Sequence, residues 1–290
     1  MSDLFRNMPP IARRPSVASF GSRLEQTFAK YGQLCVGIDP SQEQLLSWGL
    51  PDNAEGAKKF AFDLVEACVD KVGIVKPQVA FFEQFGAAGL KALSEVLESA
   101  RNAGLLVIAD AKRGDIGSSM AGYTRAWLSA EAVFQTDALT ISPFLGLESL
   151  RSSIEAAIEN DKGVFLLAAT SNPEAAIIQK AATAKGSIAS EVVSFAASFN
   201  KATLGSVGVV VGATLSLQNF GLATESFPST PILMPGFGAQ GAKLSSTREL
   251  FGDLTRNLIC SVSRSVAGET SSGLSERIVS AKLELGQGME

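Results

Sequence analysis

Short runs of apolar residues alternate along this chain with longer stretches in which apolar positions return every three or four residues. The runs are Leu34–Ile38, Val72–Val75, Leu105–Ala109, Ala138–Ile141, Val164–Ala169, Val207–Val211, Pro231–Met234 and Asn257–Ser261. Each is too short for a buried helix and lacks a polar face, which predicts strands covered on both sides. The spacing between them predicts helices over Ser22–Tyr31, Ala54–Val69, Phe85–Ala103, Leu147–Ile158 and Ile188–Phe199. A further helix runs past Asp115 through Met120, Tyr123 and Trp127, and a last one starts at Leu274. Gly104 closes the Phe85–Ala103 helix as a C-cap and delivers the chain into the third strand. Eight buried strands separated by helices, with few hairpin signals, predict an α/β chain closed as a (β/α)8 or TIM barrel. The expectation is one domain over residues 1–290, with Met1–Ser19, which holds Pro9, Pro10 and Pro15, as an N-terminal arm of about twenty residues.

The rival architecture is an open, doubly wound sheet, which gathers its polar chemistry at one switch point. Here nearly every strand end carries it: Asp39, Lys76, Asp110 with Lys112, Thr140, Ser171, a glycine-rich loop at 236–241, and Arg264. The densest cluster is Asp110-Ala111-Lys112-Arg113-Gly114-Asp115 behind the third run. Side chains two apart along a strand share a face, so Asp110 and Lys112 project side by side, while Asp115 falls in the turn beyond. The pattern reads as two acids around one ammonium, and flanking carboxylates favour the charged form of a lysine.

Taken singly, each residue also has an ordinary reading. The charged cluster reads as a solvated loop, Lys76 as a surface lysine, Asp39-Pro40-Ser41 as a turn or helix cap, and Ser171-Asn172-Pro173 as a helix start. Their shared placement at strand ends is what favours function.

Composition narrows the chemistry. The chain of 290 residues has no histidine, which removes Ser-His-Asp and Cys-His nucleophiles and leaves Asp, Glu, Lys and Tyr to move protons. The net charge of -4 and the lack of a basic stripe with interleaved aromatics argue against nucleic acid as a partner. Three cysteines in apolar surroundings, Cys35, Cys68 and Cys260, read as reduced core residues rather than a disulfide framework or a metal site. No signal-peptide or membrane-length apolar run is visible, so the expected setting is cytoplasmic, with no membrane partner.

The Asp-x-Lys-x-x-Asp cluster of Asp110, Lys112 and Asp115, followed by Ile116-Gly117, stands in register with Asp39, Lys76, Thr170-Ser171-Asn172-Pro173 and Arg264. Over about Leu34 to Gly268 this closely resembles the orotidine 5'-phosphate decarboxylase family, in particular its longer, largely bacterial subgroup. The resemblance implies loss of carbon dioxide from orotidine 5'-phosphate to give uridine 5'-phosphate, the last step of de novo UMP synthesis, with no metal and no organic cofactor. It implies that Lys112 protonates the carbon that loses the carboxylate, that Asp110 crowds that carboxylate, and that Asp115 comes from the neighbouring subunit of a homodimer with shared sites. It assigns Asp39 and Lys76 to the ribose hydroxyls, Ser171 to the pyrimidine, and Gln240 and Arg264 to the phosphate. Ser119, Thr140 and Pro235 complete the substrate-binding set.

The phosphate grip has independent support, because barrels commonly bind phosphate on the loops after strands seven and eight, where Gln240 and Arg264 fall. Three other readings stay open at this point. A related sugar-phosphate decarboxylase or aldolase barrel resembles the same motif but uses a histidine that this chain lacks. A Schiff-base aldolase needs Lys112 neutral, against its acidic neighbours, and borohydride trapping tests it. A barrel that only binds nucleotides needs no ammonium between acids.

Overall fold

In this computed structural model, which describes residues 18–289, each of the eight apolar runs forms a strand. They are β1 (Leu34–Ile38), β2 (Ile74–Pro77), β3 (Leu106–Arg113), β4 (Ala138–Ile141) and β5 (Gly163–Ala169), followed by a two-residue hairpin of β6 (Ala182–Thr183) and β7 (Gly186–Ser187). The last three are β8 (Val207–Val211), β9 (Ile232–Pro235) and β10 (Leu258–Val262). Parallel pairing runs β1-β2-β3-β4-β5-β8-β9-β10 and returns to β1, with Leu34 opposite Cys260 and Val36 opposite Val262. That closure makes a (β/α)8 barrel and rules out the open sheet.

Alternation along each strand divides the apolar residues between two compartments. Cys35, Ile74, Ile108, Phe165, Leu233 and Ile259 fill the barrel interior, whereas Val36, Val75, Val107, Leu139 and Cys260 pack outward under the helices. The helix Phe20–Tyr31 stops the N-terminal end of the barrel. Phe20 packs edge-on against Phe165 at 5.9 Å between centroids. Gly163 gives it room, since a Cβ there would lie 2.4 Å from the Phe20 ring. Arg23 of the same helix pairs with the buried Asp137. With this end shut, only the C-terminal ends of the strands are open.

Three boundaries differ from the sequence expectation in ways that matter. β2 runs two residues further than the apolar run, so Lys76 and Pro77 are inside the strand and Lys76 is buried rather than following it. β3 continues through the charged cluster to Arg113, because Asp110 bridges to Gln78 just past β2 and Arg113 pairs with Ile141 of β4. Ser19, expected in the arm, is instead the N-cap of the first helix, its hydroxyl accepting from the Ser22 amide. The arm itself, residues 1–17, lies outside the described residues. Among the described residues no helix is long and apolar enough to cross a membrane.

Candidate active site

The open ends of the strands surround a cavity of about 310 Å³. Of the eleven site residues singled out in the sequence, Asp39, Lys76, Asp110, Lys112, Ser171, Pro235, Gln240 and Arg264 line it. Asp115, Ser119 and Thr140 do not.

The charged centre is built on Asp110. Its Oδ1 accepts from Lys112 Nζ at 2.6 Å and from the Thr140 hydroxyl at 3.0 Å. Its Oδ2 accepts from Gln78 Nε2 at 3.1 Å and Lys76 Nζ at 3.2 Å. Burial pushes this carboxyl up, but the two ammonium groups and the bonds from Lys112 and Thr140 outweigh it and hold the pKa at about 2. Lys76 is only 5% exposed. Burial pushes its pKa down, and Asp39 at 3.9 Å with Asp110 reverses this and holds it above the ordinary lysine range. The sequence expectation of two acids around one ammonium is thus inverted within one chain: one acid lies between two lysines. Among the described residues Lys112 makes its ion pair with Asp110 alone, while the Asp115 carboxylate accepts from the Ile116 amide at 2.8 Å.

Lys112 holds an unusual backbone. Its φ is +49°, in the left-handed region, which costs a residue with a side chain about 1–2 kcal/mol. The cause is a register shift: Ala109 lies opposite Leu139 but Arg113 lies opposite Ile141, so β3 carries surplus residues and bulges. On the site side the bulge is tied by Thr140, whose hydroxyl accepts from the Lys112 amide at 2.9 Å. Thr140 is fully buried and holds Asp110 and Lys112 in place rather than facing the cavity.

Asp115 and Ser119 lie where the chain leaves the barrel mouth for the helix Gly117–Trp127. Ser119 is exposed, and Ile116 between them is 60% exposed.

At the far side of the cavity, Pro235 leads into a turn whose Gly236 and Gly238 have φ of +119° and +72°. A side chain at Gly238 would collide with Ser265, at 2.4 Å from its Oγ. Glycine there lets the loop bearing Gln240 approach the short helix that Arg264 begins. Among the described residues Arg264 makes no ion pair, which leaves one unneutralised cation at this end. A second cavity of about 490 Å³ adjoins the first across Leu167, but it is lined mainly by apolar side chains and no lysine or arginine.

Sequence reasoning missed several members of the site. Gln78, Ser261 and Ser263 line the cavity. Gln78 stands two residues from Lys76, and the two serines stand two apart, so strand alternation could have found them. Nothing local marks Gln179, whose side chain accepts from the Thr170 amide at 2.8 Å and braces the loop carrying Ser171. Among the described residues the buried Asp39 Oδ1 accepts no hydrogen bond and lies 3.9 Å from Lys76 Nζ, an unsatisfied acceptor beside that lysine.

Comparison with known proteins bears directly on this arrangement. A sequence profile of the Orotidine 5'-phosphate decarboxylase / HUMPS family matches residues 32–272. The chain is 46% identical over 258 residues to the orotidine 5'-phosphate decarboxylase of Corynebacterium glutamicum, covering 86% of this chain and 90% of that one. It is 44% identical over 251 residues to that of Streptomyces coelicolor, covering 85% and 89%. A crystal structure of a Streptomyces avermitilis protein assigned as an orotidine 5'-phosphate decarboxylase matches it with a TM-score of 0.90 at 41% identity, over 95% of this chain and 98% of that chain.

Proposed function

The chain belongs to the orotidine 5'-phosphate decarboxylase family and carries out its reaction, the conversion of orotidine 5'-phosphate to uridine 5'-phosphate and carbon dioxide; we propose how its own residues do so. The bond between the pyrimidine ring and its carboxylate breaks, carbon dioxide leaves, and the electron pair stays on the ring carbon. Lys112 delivers a proton to that carbon and regains one from solvent. Negative charge grows on the carbon only as the bond breaks, so an ammonium aimed there stabilises the transition state more than the starting carboxylate. The observation that carries this reading is the ionised Asp110, fixed by four donors, which holds the Lys112 ammonium at the cavity.

Asp110 also faces the substrate carboxylate. Two like charges about 4 Å apart repel by about 4 kcal/mol at an effective dielectric near 20, or about three powers of ten in rate. Enzymatic accelerations typically need about 8–23 kcal/mol, so Lys112 and remote binding supply the rest. Asp39 and Lys76 hold the ribose hydroxyls, a role supported by their place side by side on the cavity wall. Ser171 reads the pyrimidine, Pro235 packs beside it, and Gln240 with Arg264 grips the phosphate. Asp115 and Ser119 act in the partner subunit's site of a homodimer. The absence of Asp115 from the lining of its own chain's cavity, its bond to the Ile116 amide and the exposed Ile116 beside it support that reading.

The test follows the ultraviolet change as orotidine 5'-phosphate is consumed, in the presence of a metal chelator. Lys112→Ala is expected to lose more than about three powers of ten in kcat, roughly 4 kcal/mol, while still binding uridine 5'-phosphate. Retention of more than about a thousandth of the wild-type rate overturns the assignment of Lys112.

A further inference from the structure

Three non-glycine residues among those described have a positive φ. Asp70 and Asp161 sit in turns, whereas Lys112 sits inside a barrel strand. Something must hold the β3 bulge in that shape on the side away from Thr140. Arg113, where the strand returns to register, is placed to do so. Its carbonyl accepts from the Ser142 amide at 2.7 Å. Its side chain points into the helical layer, away from the cavity, which it does not line.

There the guanidinium joins three segments of the site. It pairs with Glu83, on the short helix Ala80–Glu83 that follows Lys76 and Gln78. It donates to the Ala111 carbonyl inside the bulge at 3.3 Å. It also lies over the rings of Tyr123 and Trp127, at 5.5 and 6.0 Å from their centroids, on the helix that begins just after Asp115. Trp127 is in turn stacked on Phe134 at 4.5 Å, so the aromatic wall is itself packed.

We propose that Arg113 is a positioning residue for the decarboxylation: its guanidinium clamps the β3 bulge between the two neighbouring helices and so fixes where the Lys112 ammonium points. The proposal rests on Lys112 as the proton donor. Arg113 does not touch substrate, and Glu83 neutralises it locally, so its influence passes through backbone geometry. A displacement of about 1 Å at a reacting group can reduce a rate by about a hundredfold.

Arg113→Met keeps the stem against Tyr123 and Trp127 while removing the guanidinium. Glu83→Gln weakens the same clamp from a side chain that is 38% exposed, where a polar substitution is expected to cost little stability. Rates are normalised to the number of sites that bind uridine 5'-phosphate. Arg113→Met is expected to lower kcat per site by about 10- to 100-fold, with KM and the uridine 5'-phosphate Kd within about threefold of wild type. Glu83→Gln shifts kcat in the same direction by less, and the double variant is no worse than Arg113→Met alone, since both remove one interaction. A merely structural role lowers Tm and the number of binding sites but leaves kcat per site unchanged. The proposal is overturned if kcat per site stays within about twofold in Arg113→Met, or in Glu83→Gln should the first variant not fold, or if KM rises as much as kcat falls. Lys112→Ala in the same assay separates the two claims. If it stays active, the donor assignment fails whatever Arg113 does; if it is inactive and the clamp variants are not, only the clamp fails.

Discussion

Replacing Asp110 by asparagine removes the one carboxylate on which both site lysines converge. Its oxygens lie 2.6 Å from Lys112 Nζ and 3.2 Å from Lys76 Nζ, which at an effective dielectric near 20 corresponds to attractions of about 6 and 5 kcal/mol. Burial offsets most of this. The net result is a pKa of about 2 in place of 3.8, a preference of about 2 kcal/mol for the ionised form in the folded chain. Asparagine loses that preference and leaves Lys76 buried with Asp39 alone, 3.9 Å away. Removing one partner of a buried ion pair costs about 3–5 kcal/mol, so the unfolding free energy of Asp110→Asn at neutral pH should fall by about 3 kcal/mol. The sign of the pH dependence follows from the depressed pKa. Stability contributed by ionised Asp110 is fully present above its unfolded value of 3.8 and is lost as pH falls toward about 2. Urea unfolding at fixed protein concentration, followed by tryptophan fluorescence, should therefore show a wild-type advantage that is constant down to about pH 5 and narrows below about pH 4. Equal stability at neutral pH, or a gap that does not narrow in acid, would refute the reasoning.

Two further outcomes test the outer parts of the site. Arg264→Ala should mainly raise KM for orotidine 5'-phosphate; if the phosphate-free nucleoside is affected equally, the phosphate assignment is wrong. Mixing inactive Lys112→Ala and Asp115→Ala subunits should restore about a quarter of wild-type activity, because random exchange makes half the dimers mixed and gives each one whole site. No recovery would mean that Asp115 serves its own chain or that the sites are not shared.

The barrel was legible because strands buried on both faces leave uninterrupted apolar runs, and the positions of Asp39, Lys112, Ser171 and Arg264 follow from those runs. What alternation could not convey was the register between strands. The β3 bulge exists only because Arg113 pairs with Ile141, a contact between residues far apart in sequence, and the left-handed Lys112 follows from it. For the same reason Thr140 read as a substrate contact: its strand-end position is visible locally, but its hydroxyl's attachment to Asp110 is not. Lys76 read as a residue beyond β2, since a charge normally ends an apolar run. It lies within the strand because Asp39, just past β1, and Asp110, on β3, make its burial tolerable. The two-residue hairpin at 182–187 has too few residues to leave a pattern at all.

The left-handed backbone at Lys112 bears on how this gene drifts. Glycine at that position would relieve the roughly 1–2 kcal/mol that the conformation imposes on a lysine. The ion pair it would forfeit is half exposed on the lysine side, and Asp110 would keep Lys76, Gln78 and Thr140 as donors, so the relief offsets part of the loss. A glycine allele at this codon therefore costs folding less than the loss of the ion pair alone would. Where pyrimidines are supplied from outside, purifying selection on turnover lapses and proteostasis offers only a weakened second barrier to such an allele. A laboratory library sorted on thermal tolerance alone would, by the same reasoning, select only weakly against dead enzyme at residue 112.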